Sequence, residues 1–417
     1  MKRVIYLFDS ATSLKGLPVV RHLSERTKNK IETIAVLDKD ISGGEEWKKF
    51  FDRFYIISPT KNPLDPCMMS LEEVAETIEH ELTLPESTLI VPFGEYTSTL
   101  AAQLRERYSI PGHTVSQALP FRDKLKMKQL VKNNAKVPSF AAFDKKKYRE
   151  KGNSYIEDIR KEVAFPFVIK PVNAASARAT KIIYNKDFLH LIDEALEEFS
   201  GDFEVEEFID GHMYTCEVLY KNGKPLLALS SKFNKPVIEL AKGFNIGCLP
   251  LLPTDKMFKR LEEFCIGALS DLAIENGITH SEIFLNKNDE LVFLETACRV
   301  PGGKVIESYM DAYGINILDI DQRLKIGLPI PALNIKPKQY GFWVVIPTGE
   351  GKIEKYIFPE LESEYTIKWN YTIGDTTKKG KNFEEILAVL YAYNKDYSSL
   401  SRDFSKIDSM KFATYTN

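Results

Sequence analysis

Short apolar runs separated by amphipathic stretches fill the first hundred residues. VIYLF at 4–8, IETIAVLD at 31–38, FYIIS at 54–58 and STLIVPFGE at 87–95 are of strand length, and 71–80 carries apolar residues at helical spacing. That alternation predicts an open parallel α/β sheet with helices on both faces. It lacks the G-x-G-x-x-G turn, so a nicotinamide or flavin site has little support here. Pro111, Gly112 and Pro120 then punctuate the chain, and Asp123 stands as N-cap of a helix through RDKLKM, which puts a domain boundary near 112.

Between 137 and 205 the pattern changes to a compact α+β unit. A strand VAFPFVIKP, a small-residue loop NAASARAT at 173–180 and a strand KIIY lead to a helix over 187–199, with Phe188, Ile192, Leu196 and Phe199 on one face. MYTCEVLY and PLLALSS flank Asn222-Gly223, a strong hairpin signal. A helix is predicted over 258–273, ended by Gly277. Past about 332, YGFWVVIPTG and YTIKWNYTIGD read as strands and 383–393 as a helix, so the chain closes on a small β-rich module.

With 417 residues, 44% hydrophobic and 28% charged, the composition is that of a soluble globular protein of two or three domains. A net charge of -3 argues against a nucleic-acid partner. Cysteines 67, 216, 248, 265 and 298 form no C-x-x-C pair, so neither a disulfide framework nor a zinc site is expected, and a reducing cytoplasm fits. The apolar run at 4–8 is too short for a signal peptide and no later stretch is long enough to span a bilayer, so the expectation is a cytoplasmic protein without a membrane partner.

Charged residues at the ends of apolar strands carry the candidate chemistry. In THSEIFLNKNDELVFLETACR, a two-residue turn at Asn288-Asp289 sets Glu282 opposite Glu295, with Cβ atoms ~5 Å apart, and His280 opposite Ala297. Like charges so placed repel unless a cation lies between them, and two hard oxygen ligands suit magnesium, which commonly arrives with nucleotide phosphates. A solvated sheet edge, or a turn with an odd number of residues, is the equal alternative. Lys170 ends an apolar strand before the NAASARAT loop, whose small side chains let backbone N–H groups approach phosphates. Lys124 opens the RDKLKM helix, and Glu206, Glu207, Phe208 and Ile209 form a strand end that offers groups to a base and ribose. Taken alone, Lys170 and Lys124 read more readily as solvated lysines, and 206–209 reads also as an exposed charged edge strand.

In this order and spacing, IVPFGEYTSTLAAQLRERYSIPG, RDKLKM, FPFVIKPVNAASARAT, VEEFIDG and above all THSEIFLNKNDELVFLETACRVPGG resemble the ATP-grasp superfamily. The similarity is to its carboxylate-amine ligases of the L-amino-acid (dipeptide) ligase type, over residues 1–330. The resemblance implies an ATP-grasp fold, α/β and α+β, with an N-terminal open parallel α/β domain at 1–112, an ATP-grasp domain at 113–331 whose lid covers about 137–205, and a C-terminal β-rich module at 332–417. It implies ATP with Mg2+, or Mn2+ as substitute, and small-molecule carboxylate and amine substrates joined through an acyl phosphate with release of ADP; a homodimer is compatible with it.

Position by position, the resemblance assigns Lys124 and Lys170 to the ATP phosphates, Ser176 to the loop that covers them, and Glu206, Glu207, Phe208 and Ile209 to the adenine. Glu282 and Glu295 fall on the metal-binding carboxylates and Arg299 on the arginine that steadies the transferred phosphate and acyl intermediate. Glu95, His280, Gly302 and Gly303 fall on the substrate side. Three positions depart from the pattern: Ala297 replaces a metal-ligating asparagine, Ala179 a loop glycine, and Met213 a ribose-binding acid. These departures leave a second reading, a catalytically reduced ATP-binding sensor or assembly protein, beside a third, an ATP-grasp carboxylase or purine-pathway ligase. Cys298 reads as a packed thiol, and Met127 and Met257 as filler.

Overall fold

Apolar runs buried on both faces build the first sheet. In the computed structural model, which describes residues 2–9, 14–41, 44–58, 69–82, 84–383 and 385–416, β1 (Lys2–Phe8), β2 (Ile31–Asp38), β3 (Arg53–Ile57) and β4 (Thr88–Pro92) are parallel in the order β3-β2-β1-β4. Cys67 lies outside the described residues. On one face of β1, Ile5 and Leu7 pack with Val74, Ile78, Leu100 and Leu104 from the helices Leu71–Ile78 and Thr97–Tyr108. On the other, Val4, Tyr6 and Phe8 join a core that includes Leu318 and Ile326 from the far end of the chain. The N-terminal sheet is thereby seated on the helix Ile317–Lys325.

The lid sheet is antiparallel, with β5 (Phe140–Phe143), β6 (Phe167–Pro171), β7 (Lys181–Ile183) and β8 (Phe203–Glu207) in the order β5-β8-β6-β7. The helix expected over 187–199 is a 3-10 turn, Lys186–Phe188, capped by Asn185, followed by the helix His190–Glu198. Its core face is Ile192 and Ala195, with Phe199 just beyond, while Phe188 stays 37% exposed. FEVEEFIDG is no edge strand: β8 lies inside the sheet, and that position decides what its glutamates face.

The central sheet has eight strands. β9 (Gly211–Lys221), β10 (Lys224–Phe233), β11 (Ile246–Pro250), β12 (Gly277–Asn286) and β13 (Leu291–Ala297) are continued by β14 (Tyr340–Pro347), β16 (Glu364–Trp369) and β18 (Ile386–Asn394), in the order β13-β12-β9-β10-β11-β14-β18-β16. β15 (Gly351–Tyr356), β17 (Thr376–Thr377) and β19 (Ala413–Thr416) form a small separate sheet. The strands past 332 thus extend the sheet that carries the paired glutamates.

The helix expected over 383–393 is instead β18, hydrogen-bonded to β14 on one side and β16 on the other. Its Leu and Ala content suits a helix, but Ala388, Leu390 and Ala392 alternate into a core with Leu400 and Phe404, and pairing on both edges overrides propensity. The helix falls at Tyr397–Lys406, capped by Asp396. The helix expected over 258–273 runs Lys256–Ala268, capped by Asp255. Among the described residues no helix is long and apolar enough to cross a membrane.

Candidate functional site

The β12–β13 hairpin reaches the expected pairing by a different route. Its turn has three residues, 287–289, closed by Asn286 N–H donating to Glu290 O at 3.0 Å, with Asp289 in the left-handed region at φ 60°. That register pairs Leu285 with Leu291 and would put Glu282 and Glu295 on opposite faces. A β-bulge at Leu294 adds one residue to β13 and reverses the slip, so Glu282 pairs with Glu295 and His280 with Ala297 after all. The two-residue turn was the wrong premise; bulge and turn compensate.

Lysines from two other elements meet this pair. Lys170, near the end of β6, places Nζ 3.5 Å from Glu295 Oε2, and Lys124 reaches the same oxygen at 3.6 Å. Lys124 is the first residue of the helix Lys124–Val131, capped by Asp123, and its Nζ also donates to Ala174 O at 2.7 Å, tying the helix to the small-residue loop. In that loop Ser176, Ala177 and Ala179 take φ of 59°, 56° and 51°, the conformation that favours glycine. Burial works to raise the Glu295 carboxyl, but Lys124, Lys170 and Lys128 outweigh it and hold it at about 2. Glu282 is pushed up to about 7 by burial and by the Glu295 charge. The ionised form is thus disfavoured on the member of the pair that makes no lysine ion pair, and a divalent cation would favour it.

Lys124, Lys170, Ser176, Glu206, Glu207, Phe208, Ile209, Glu282 and Glu295 all border one cleft between lid and central sheet, with an interior of about 160 Å³. Its far end is apolar: Ile209, Met213, Phe284 and Val292 pack together there, so Met213 forms the floor where an acid was expected. Glu207 is exposed at the rim. Glu206 instead points inward, 3% exposed, and pairs with Lys170 at 2.6 Å and with Lys128.

Lys128 and Glu204, which the sequence reading passed over, complete this network: Lys128 Nζ lies 2.5 Å from Glu204 Oε1, and both are fully buried. Burial pushes Glu204 up, whereas Lys128 and Lys170 overcome burial and hold Glu206 down. The signal was present as helical spacing from Lys124 to Lys128 and strand alternation from Glu206 to Glu204.

On the other side of the glutamate pair stands a second cluster. Arg299 donates through Nε to Glu95 Oε2 at 2.9 Å, and the other Glu95 oxygen takes Arg122. Burial raises the Glu95 carboxyl, but Arg299 and then Arg122 outweigh it and leave it lowered. Arg122 also donates to Asn173 O and lies over the Tyr96 ring. Gly303 has φ 67°, and a Cβ there would come within 2.8 Å of the Trp343 ring, whereas Gly302 faces open space. His280 Nδ1 bonds to Glu217 Oε1 at 2.7 Å. Arg122, Glu217 and Tyr309, which hydrogen-bonds the second Glu217 oxygen, were not foreseen, since they meet the site only through pairings between distant segments. Cys298 is partly buried against the central core. Met127 is buried, with its sulfur accepting from Thr296 N–H at 3.1 Å, and Met257 packs at the core margin.

A lid sheet and a central sheet thus close on a cleft with Lys170 on one wall and the paired carboxylates on the other. Residues 163–308 match the family model described as an ATP-grasp domain. Among known proteins it is similar to the L-arginine-specific L-amino acid ligase of Bacillus subtilis, 22% identical over 343 residues, covering 77% of this chain and 80% of that one. It is also similar to the alanine–anticapsin ligase of Bacillus subtilis strain 168, 26% identical over 275 residues, covering 60% of this chain and 56%, just over half, of that one. The crystal structure of an L-amino acid ligase from Bacillus licheniformis superposes with a TM-score of 0.72 at 16% identity, covering 100% of this chain and 99% of that one, which establishes the shared fold.

Proposed function

We propose that the chain is an ATP-dependent ligase that joins a carboxylate to an amine, on amino-acid-like substrates, with release of ADP and phosphate. The carrying observation is the Glu282–Glu295 pair set between two lysines and Arg299. The γ-phosphoryl group of ATP passes to a substrate carboxylate oxygen and ADP leaves with the P–O bond electrons; the neutral amine nitrogen then attacks the acyl carbon, gives up a proton to solvent, and phosphate leaves with the C–O bond electrons. Lys124 and Lys170 hold phosphate oxygens, and the loop at 173–180 covers them. The apolar end of the cleft takes the purine. Glu282 and Glu295 are the residues that would hold a divalent cation, and their mutual opposition fits one; when bound, it offsets phosphate charge. Arg299, fixed by Glu95, faces the acyl phosphate. Catalysis is then positioning and electrostatics, without a covalent enzyme intermediate.

Ala297, which carries no donor atom, favours one further reading, a nucleotide-binding protein with little turnover. Both readings meet one experiment: ADP release with ATP and Mg2+ over pairs of amino acids, with bicarbonate as a further co-substrate, and mass detection of products. The ligase reading expects ADP release that requires both an acid and an amine, and a product of their summed mass less one water. Nucleotide binding without ADP release overturns it in favour of the second reading, and bicarbonate-dependent release overturns it in favour of a carboxylase.

A further inference from the structure

A second cavity, with an interior of about 90 Å³, opens where β4 and the helix Thr97–Tyr108 meet the later chain. The segment 111–113 contributes to its wall, together with Glu275, Cys298 and Lys325. It shares no lining residue with the nucleotide cleft, and neither Glu95 nor Arg299 borders it.

Arg105 brings into this cavity a guanidinium that the protein does not neutralise. Nη2 donates to Ile90 O at 2.5 Å and Nη1 lies 3.5 Å from His113 O, both uncharged carbonyls. Nε is buried without a hydrogen-bond partner, and Arg105 makes no ion pair among the described residues. Gly112, at φ 134°, lets the backbone pass so close that a Cβ there would come within 2.7 Å of Nε, which fixes the group in place. Burial pushes Arg105 down to about 10, against the weaker opposite effects of Cys298 and Glu275. A buried charge is stable when it is paired, so this guanidinium calls for an anion.

The other basic residues add little net charge. Lys325 pairs with Asp321 at 2.8 Å, and Asp321 is itself 1% exposed. Burial, then the charges of Arg105 and Lys325, push His113 down to about 4, so its ring is neutral near pH 7 and offers one N–H donor. That ring lies parallel to Phe121, which also lines the cavity. Among the described lining residues the one carboxylate is Glu275, exposed at the rim. Leu89, Pro92 and Ala118 make the rest of the wall largely apolar. One unmatched positive charge in a small, largely apolar cavity suits a monoanion with a short hydrocarbon body.

We propose that this cavity is a second ligand site, for the carboxylate of a small organic acid, with Arg105 as its anion-binding group. The site is additional to the ligase reading and does not rest on it.

The test is isothermal titration of the full chain with butyrate at low ionic strength, without nucleotide or metal. One equivalent of butyrate is expected to bind. Butyramide, its uncharged isostere, binds at least about tenfold more weakly, and inorganic phosphate, which lacks the apolar body, also binds more weakly than butyrate. Arg105→Gln loses about tenfold or more in butyrate affinity, whereas Arg299→Met keeps it. Glu275→Gln, a change on the exposed rim, strengthens binding about threefold by removing a competing carboxylate, so the site is still located if Arg105→Gln folds poorly. Absence of butyrate binding, equal binding of butyramide or tighter binding of phosphate overturns the proposal, as does unchanged affinity in both Arg105→Gln and Glu275→Gln. Loss of binding in Arg299→Met with none in Arg105→Gln places the acid beside Glu95 and Arg299, which overturns the second site and leaves the ligase reading standing.

Discussion

The two walls of the cleft treat buried charge in opposite ways. On the lid wall, Lys128, Glu204, Glu206 and Lys170 form a closed set in which each lysine meets a carboxylate at 2.6 Å or less and nothing is more than 7% exposed. On the central-sheet wall, Glu282 and Glu295 face each other across a ladder pair, and burial together with the Glu295 charge pushes Glu282 up to about 7. The first arrangement offsets most of its own desolvation, with one Glu204 oxygen left without a partner, and fixes where the Lys170 ammonium stands. The second is left short of positive charge, so its stability and its use depend on what enters the cleft.

Replacing Glu295 removes the point where the walls meet, because its Oε2 is the oxygen that Lys124 and Lys170 share. Glu295→Gln is expected to lower amine-dependent ADP release by about 10³-fold while leaving the circular dichroism spectrum and melting temperature near wild type. Unchanged turnover would remove the carboxylate pair from the mechanism. The corresponding break on the lid wall should act on stability. Lys128→Met leaves Glu204 and Glu206 with one lysine between them, and urea denaturation should show a loss of about 3 kcal/mol or more. A loss below 1 kcal/mol would mean that the network does not hold the lid sheet.

The same contrast explains how much could be read beforehand. The N-terminal strands were legible because each is a continuous apolar run, and the Asn222-Gly223 hairpin because only a few residue pairs accept two positive φ angles. The helical reading of 383–393 failed because Leu and Ala fit both periods until β14 and β16 supply partners. Lys170 and Glu295 stood out as charges at the ends of apolar strands, and Glu282 through its cross-strand pairing with Glu295. Glu217 and Arg122 were hidden: each looks like an ordinary polar residue in its own segment, and its partner lies 63 or 27 residues away. The facing of Glu282 and Glu295 came out correct on a wrong turn length because alternation cannot show a bulge, and Leu294 corrects the face that a three-residue turn inverts.

Between the walls and the substrate stands Arg299, whose Nε and Nη2 both lie 2.9 Å from Glu95 Oε2. Lysine retains the charge but not the planar fork, so Arg299→Lys should lower kcat about 10- to 100-fold with a smaller change in KM for ATP. An equal loss in nucleotide affinity would place Arg299 in ground-state binding instead.

The smallest expected effect is also the most direct measure of the uncompensated wall. Glu282 titrates at about 7 in the folded protein against an ordinary value of 4.5, so the folded state holds this proton more tightly than the unfolded one. Its contribution is fully present below about pH 4.5 and is lost as pH rises through 7, where the ionised carboxylate must face Glu295. A shift of that size corresponds to at most about 3 kcal/mol, and with the side chain 22% exposed a value of about 1–2 kcal/mol is expected. Glu282→Gln should therefore match wild type at pH 5 and be the more stable protein at pH 8 when no divalent cation is present, measured by thermal denaturation in chelator. Adding Mg2+ with nucleotide at pH 8 should reverse the order, because the cation stabilises two carboxylates and not one. A pH-independent difference between the two proteins would show that the pair does not repel, and the contrast between the walls would fail at its acidic side.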